Sequence, residues 1–307
     1  MEIVYGIYMV VGLLGLVLGS FAGATVWRLR AAQLTQDKKD GEPYDKAELK
    51  RLKPLTTSTV TNDRSRCLDC GHVLAWYDLL PLVSWLSTRG RCRYCKKKIG
   101  YFEPLMEIGT ATAFVLFFAG FVATFGLSLP GILQFVPWFA ALTMLAILFA
   151  YDLKWFLLPD KVMFPLIGLS AVIALINAYV MATEEQGVVM RLFSTLLAVV
   201  VLAGLYFVLW FMSKGRWVGF GDVKLGIALG LLLGGWDLAL LTLFLANLIG
   251  TLIVIPGMLM GKLSRKTQVP FGPLLIVGFF ISLLYGDMLI TGYSDFSLWL
   301  STTMLML

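Results

Sequence analysis

Eight apolar stretches, all but the sixth near or above the length of a membrane crossing, dominate this chain. The first, Ile3 to Trp27, contains no charged residue. After a polar interval come stretches near Pro104 to Phe125, Phe135 to Tyr151, Val162 to Ala182, Val188 to Met212, Val223 to Gly235, Leu238 to Met260 and Phe271 to Ile290. A bilayer core requires about 20 apolar residues per helix. Inside it every backbone polar group must be satisfied within the protein, which leaves helices for segments of this kind. The expected fold is therefore an all-α polytopic membrane protein of about eight transmembrane helices. Composition agrees: 14% of the 307 residues are charged and mean hydropathy is +0.83, against roughly 25% charged in soluble domains. The sixth stretch is short and carries Gly226, Gly230, Gly234 and Gly235, so it should pack among other helices, where small residues let backbones approach.

Basic residues orient the chain. Of 25 Lys and Arg, all but Arg191 fall on one side when alternate loops are compared. They lie between Arg28 and Lys98, at Lys154 and Lys161, around Lys214, Arg216 and Lys224, and at Lys262, Arg265 and Lys266. The positive-inside rule makes that side cytoplasmic and both termini non-cytoplasmic. The net charge of +6 is accounted for by orientation, so no nucleic-acid partner is expected. Expected regions are helix one at 1–27, a cytoplasmic loop domain at 28–103, a seven-helix membrane domain at 104–291 and an interfacial tail at 292–307. Gln33 to Asn62 reads as a solvated, partly disordered connector, although Asp45 and Glu48 could cap a short helix through Leu52.

All four cysteines lie in the loop, as Cys67 with Cys70 and Cys92 with Cys95, 21 residues apart. Two CxxC turns are a zinc pattern, since each turn aims two sulfurs at one metal. The gap is one residue beyond the usual span. Basic neighbours from Arg66 to Lys98 favour the thiolates. A reducing cytoplasmic side argues against disulfides. The apolar run from Trp76 to Leu86 should lie on the bilayer or dock against helices.

His72 is the sole histidine, which removes Ser-His-Asp triads and HExxH zinc sites. Two carboxylates stand out instead. Asp152 ends an apolar run, and Asp222 closes the segment GFGD at the start of the sixth stretch. Ionisable groups at membrane depth are functional candidates. Two sharing a site could divide one proton, as in aspartic proteases, with Gly219 and Gly221 allowing close approach of a substrate backbone. The spacing alone equally suits helix-end residues or a proton relay in a transporter. A noncatalytic scaffold recruiting partners through its zinc loop is a third reading. Asp160 reads as an N-cap following Pro159.

Taken together, the segments GLVLGSFAGATVWRLR at Gly15 to Arg30, Cys67 to Cys95, EPLMEIGTA at Glu103 to Ala111, YDLKWFLLPD at Tyr151 to Asp160, KGRWVGFGDVKLGIALG at Lys214 to Gly230 and VPFGP at Val269 to Pro273 resemble the type IV prepilin peptidases. The resemblance implies an aspartic endopeptidase of the bacterial inner membrane that removes the basic leader of prepilin-like substrates. It makes Asp152 and Asp222 the catalytic pair and the four cysteines the Zn2+ ligands. The zinc loop is similar to that of members that also methylate the new N-terminus with S-adenosylmethionine. No Rossmann fingerprint marks a site for that cofactor. Because the leader is basic, Glu103, Glu107 and Asp160 are expected to help hold it. Departures from the family pattern include Leu68, Lys154, Phe102 and Glu103, none of them at the two aspartates.

Overall fold

The computed structural model describes residues 2–56, 64–125, 129–182, 187–261 and 269–305. Among these residues are ten α-helices and no strand beyond two isolated bridges. In chain order the helices are α1 (Glu2–Asp40), α2 (Lys46–Thr56), α3 (Val83–Ser87), α4 (Phe102–Phe125), α5 (Leu129–Trp155), α6 (Asp160–Val180), α7 (Val188–Ser213), α8 (Phe220–Leu233), α9 (Trp236–Leu259) and α10 (Phe271–Leu305). Seven of them, α1, α4 to α7, α9 and α10, are long and apolar enough to cross a membrane. This is a multi-pass membrane protein. The sixth expected stretch is α8, whose 14 residues rise about 21 Å at 1.5 Å each, short of a hydrocarbon core of about 30 Å.

The chain divides into two units, 1–131 with 142–150, and 132–141 with 151–307. In the first, α1 packs on α4. A Cβ on Gly15 would stand 2.6 Å from Ala111 Cα, and one on Gly19 would stand 2.7 Å from Glu107 Cα. Higher positions on α1 meet lower ones on α4, so the two helices run antiparallel, and their four-residue glycine spacing brings the backbones together.

Two expectations for this unit are corrected. The first helix continues to Asp40 rather than ending at Trp27, and α2 fills much of the presumed connector. The reason is a second, small core. Ala31 and Leu34 share a face of α1 and bury Leu52 of α2 completely, while Arg30 grips Glu48 at 2.7 Å. Asp45 does cap α2, accepting the Ala47 and Glu48 amides at 2.8 and 3.0 Å. The connector's last residues, 57–62, lie outside the described residues.

In the second unit α8 is central, meeting α6, α7, α9 and α10, and eight of its 14 residues are buried. Gly226 and Gly230 make that possible, as expected of this stretch. A Cβ on Gly230 would fall 2.7 Å from Val199 Cα, and one on Gly226 would fall 3.0 Å from Ala203 Cα. Gly234, at φ +71°, ends the helix in the left-handed conformation that glycine adopts at low cost. The stretch expected as a tail continues α10 as far as Leu305, with Phe296 and Trp299 exposed. Lys262, Arg265 and Lys266 lie outside the described residues.

Gly230→Ala should destabilise the protein by about 1–3 kcal/mol, the usual cost of overpacking. At Gly168 an added Cβ meets nothing within 4 Å, and Gly168→Ala should be neutral or slightly stabilising. Thermal melting of the two variants in one detergent checks the difference.

Candidate functional site

Each unit carries one constellation of chemistry-bearing residues. In the second unit Asp152 lies in the last turn of α5, and its side chain is buried, with 5% of its surface exposed. The amide of Gly272, second residue of α10, donates to Asp152 Oδ2 at 3.0 Å. The first amides of a helix have no partner within it, and its N-terminal dipole favours negative charge. The start of α10 therefore supplies what a buried carboxylate needs. A Cβ on Gly272 would fall 2.6 Å from that same Oδ2, so glycine lets the carboxylate reach the amide.

Asp222 occupies the equivalent kind of position on α8, in its first turn, with Gly219 as N-cap. The Gly219 amide is within hydrogen-bonding reach of its carboxylate, and the charge of Asp152 is felt there. The structure thus brings Asp152 and Asp222, 70 residues apart in sequence, into one neighbourhood. Leu158 packs between their glycine neighbours. A Cβ on Gly221 would lie 3.1 Å from Leu158 Cβ, and one on Gly272 3.6 Å from Leu158 Cδ2. The link from α5 to α6 carries Leu158 into place. Phe156 takes φ 56°, a conformation rare for a bulky residue, and its amide closes on the Asp152 carbonyl at 2.9 Å.

The N-cap reading of Asp160 is corrected. Pro159 is the N-cap of α6 and carries no side-chain bond, while Asp160 is the first helical residue and accepts Lys224 Nζ at 2.6 Å. That lysine also lies 4.8 Å from the Phe164 ring centroid, so its charge is satisfied locally. Glu103 and Glu107 belong to the first unit. Glu103 accepts the Trp27 indole at 3.2 Å, and Glu107, almost fully buried, accepts the Leu82 amide at 2.8 Å.

Sequence reasoning missed Gly272, Leu158 and Tyr206. Tyr206 is buried on α7, lies against Phe271 with ring centroids 5.2 Å apart at a tilt of 55°, and senses the charge of Asp222. The available signal was the glycine of VPFGP at a helix start, a position where free amides collect.

In the first unit the sulfurs of Cys67, Cys70, Cys92 and Cys95 all lie within 4.8 Å of one another. The Cys67–Cys95 separation is 3.9 Å, and a tetrahedral centre with bonds of about 2.3 Å requires sulfurs about 3.8 Å apart. The cluster can hold a metal ion. It is built by one turn used twice. Cys67 N donates to His72 O and Cys92 N to Lys97 O, at 3.0 and 2.8 Å. Gly71 N returns to Cys67 O and Lys96 N to Cys92 O, at 2.9 and 3.0 Å. Gly71 and Lys96 both take positive φ, and each turn is closed by an antiparallel bridge, Arg66 with Val73 and Arg91 with Lys98.

Burial pushes the Cys67 thiol up to about 12, so a bound cation would have to draw all four sulfurs into the thiolate form. Asp78 braces the second turn, accepting Arg93 Nε at 2.9 Å and the Tyr94 hydroxyl at 3.0 Å. Burial opposes its charge, but these donors outweigh burial and hold its carboxyl below the ordinary value.

A helical membrane protein with a carboxylate pair in one unit and a four-cysteine cluster able to hold a metal ion in the other is a narrow class. Residues 13–121 match the bacterial peptidase A24 N-terminal domain, and residues 139–255 match the type IV leader peptidase family. Curated relatives named prepilin leader peptidase/N-methyltransferase align over most of the chain. That of Stutzerimonas stutzeri is 29% identical over 92% of both proteins. That of Pseudomonas aeruginosa is 29% identical over 93% of this chain and 92% of its own, and that of Pseudomonas putida 30% over 89% of both. No solved structure matches the chain. The chain belongs to the type IV leader peptidase family.

Cys92 is the most buried of the four cysteines. Cys92→Ser should reduce bound metal well below one ion per chain and open the segment around the two turns to proteolysis, with the long helices retained. Elemental analysis, limited proteolysis and circular dichroism together check this.

Proposed function

We propose that this protein is a membrane aspartic endopeptidase that removes the leader of type IV prepilin-like proteins and then N-methylates the new N-terminus. Asp152 and Asp222 are the catalytic pair. The observation that carries the reading is their convergence from α5 and α8, each carboxylate at a helix N-terminus and Asp222 within range of the charge of Asp152.

Two carboxylates so placed cannot both ionise cheaply, so the pair retains one proton. The ionised member takes a proton from water as it attacks the scissile carbonyl carbon. The protonated member donates to the carbonyl oxygen, and the proton later passes to the leaving amine. The Gly272 and Gly219 amides keep the charge localised and the carboxylates aimed, and Leu158 packs beside Gly221 and Gly272.

The four cysteines suit Zn2+, which prefers a tetrahedral thiolate set, and its role here is to fix the loop. S-adenosylmethionine supplies an electrophilic methyl group on a cationic sulfur. The site lies at the cytoplasmic face of the bacterial inner membrane, with both termini on the other side, an orientation supported by the distribution of Lys and Arg. Glu103, Glu107 and Asp160 are acidic groups that a basic leader would meet favourably.

Asp152→Asn and Asp222→Asn should each lower leader cleavage at least about 10³-fold, since each removes one half of an acid–base pair, with melting temperature held or raised. Mass spectrometry of a prepilin incubated with each variant reads the outcome. Cleavage within tenfold of the wild type in either variant excludes the pair and returns the transporter reading. Gly272→Ala, which crowds Asp152 while leaving both acids, should lower kcat about 10- to 10²-fold, because small misplacement at a reacting centre is costly.

A further inference from the structure

Tyr206 is a buried polar group beside the aspartates that the mechanism above leaves unused. It is 3% exposed on α7, and its hydroxyl has no hydrogen-bond partner among the described residues. A buried phenol normally finds a partner, and leaving it without one costs free energy that a phenylalanine would avoid. Thr110, Ser170, Thr242 and Ser282 also carry buried hydroxyls without partners. Those are short side chains, able to turn toward a carbonyl of their own helix. A phenol hydroxyl stands a ring's length away from its helix and must be completed by something else.

The register of α7 on α8 fixes the height of that side chain. A Cβ on Gly230 would meet Val199, and one on Gly226 would meet Ala203. Four residues back along α8 thus correspond to four residues forward along α7, and the two helices run antiparallel. One further turn brings Asp222 level with Tyr206 and Phe207. Phe207 is 47% exposed, so Tyr206 is the one turned inward. It feels the charge of Asp222. Its ring lies against that of Phe271, the residue just before the amide that holds Asp152. Tyr206 therefore stands level with one carboxylate and touches the helix start that serves the other.

We propose that Tyr206 is a third catalytic residue, whose hydroxyl donates a hydrogen bond to the scissile carbonyl oxygen as that oxygen gains negative charge. The inference rests on the peptidase reading above and adds a group to it. As the water oxygen bonds to the carbonyl carbon, the π electron pair moves onto the carbonyl oxygen, where the protonated aspartate and the phenol both meet it. The phenol keeps its own proton throughout. When the tetrahedral species collapses, that pair re-forms the carbonyl, the carbon–nitrogen bond breaks, and the amine leaves with the proton handled by the aspartates. A neutral donor suits this position, because a Lys or Arg would pair with Asp222 and hold it from the reaction. Away from bulk water, a donor fixed in advance stabilises developing charge more strongly than water does.

The test compares the wild type with Tyr206→Phe, which removes one oxygen atom and keeps the ring. Leader cleavage of a purified prepilin by the full-length protein in lipid nanodiscs gives kcat and KM for each. In the variant kcat should fall about 10²-fold or more, the usual loss when one donor to a developing oxyanion is removed. KM should stay within about twofold, and the melting temperature should hold or rise, since the hydroxyl has no partner to lose. A kcat within tenfold of the wild type overturns the role of Tyr206 and leaves the aspartate pair standing. A loss carried by KM makes the hydroxyl a group that only binds substrate, and a lowered melting temperature makes it a packing partner. Either result overturns the proposal. A wild-type protein that cleaves no prepilin overturns the proposal and the peptidase reading together.

Discussion

The second unit depends on the placement of charge where apolar surroundings make charge expensive. A buried carboxylate is tolerable only when hydrogen bonds replace the water it has lost. Here the replacements are backbone amides at helix starts. They cost no side-chain entropy, and they lie where helix geometry leaves donors unused. The Gly272 amide serves Asp152 from α10 and the Gly219 amide serves Asp222 from α8. The fold must therefore deliver the end of one helix to the beginning of another, and the packing of α6, α7, α9 and α10 around α8 follows from holding that arrangement together.

How far the site was legible follows from what kind of signal each residue leaves. Asp152 and Asp222 stand out because a charge interrupts or borders an apolar run, and the cysteines because CxxC is a local geometry. Asp160 sits at the start of a helix as expected, yet its role was misread. The cap reading considers only the helix that follows, whereas its partner Lys224 comes from α8, 64 residues away. Gly272 was invisible as a site residue for the same reason. Its meaning lies in a carboxylate 120 residues earlier, and no periodicity links the two. The extension of α1 was hidden by its polar composition, because only the stripe that buries Leu52 reveals that the helix continues.

The cysteine loop shows the opposite case, in which local sequence carries nearly everything. Residues 66–74 and 91–99 repeat the same bonds at an offset of 25, down to the positive φ at Gly71 and Lys96. One turn is glycine and the other lysine at that position. The lysine pays a modest conformational cost, offset by the bonds around it. Two copies of a turn that aims two sulfurs inward need only to face each other to complete a metal site. That economy lets a short segment fold with almost no apolar core, as small metal-bound modules do.

The shortness of α8 and its enclosure express one constraint. A helix start exposes unpaired amides, and in hydrocarbon each would cost several kcal/mol. A 14-residue helix cannot place both ends in the interfaces, so its N-terminus needs either protein or water around it. Four helices pack around α8, and a carboxylate in its first turn both satisfies the Gly219 amide and gains from the dipole. The glycines that let α7 approach are therefore as much a part of the site as the aspartate, because they permit the enclosure that keeps this carboxylate from behaving as it would in water.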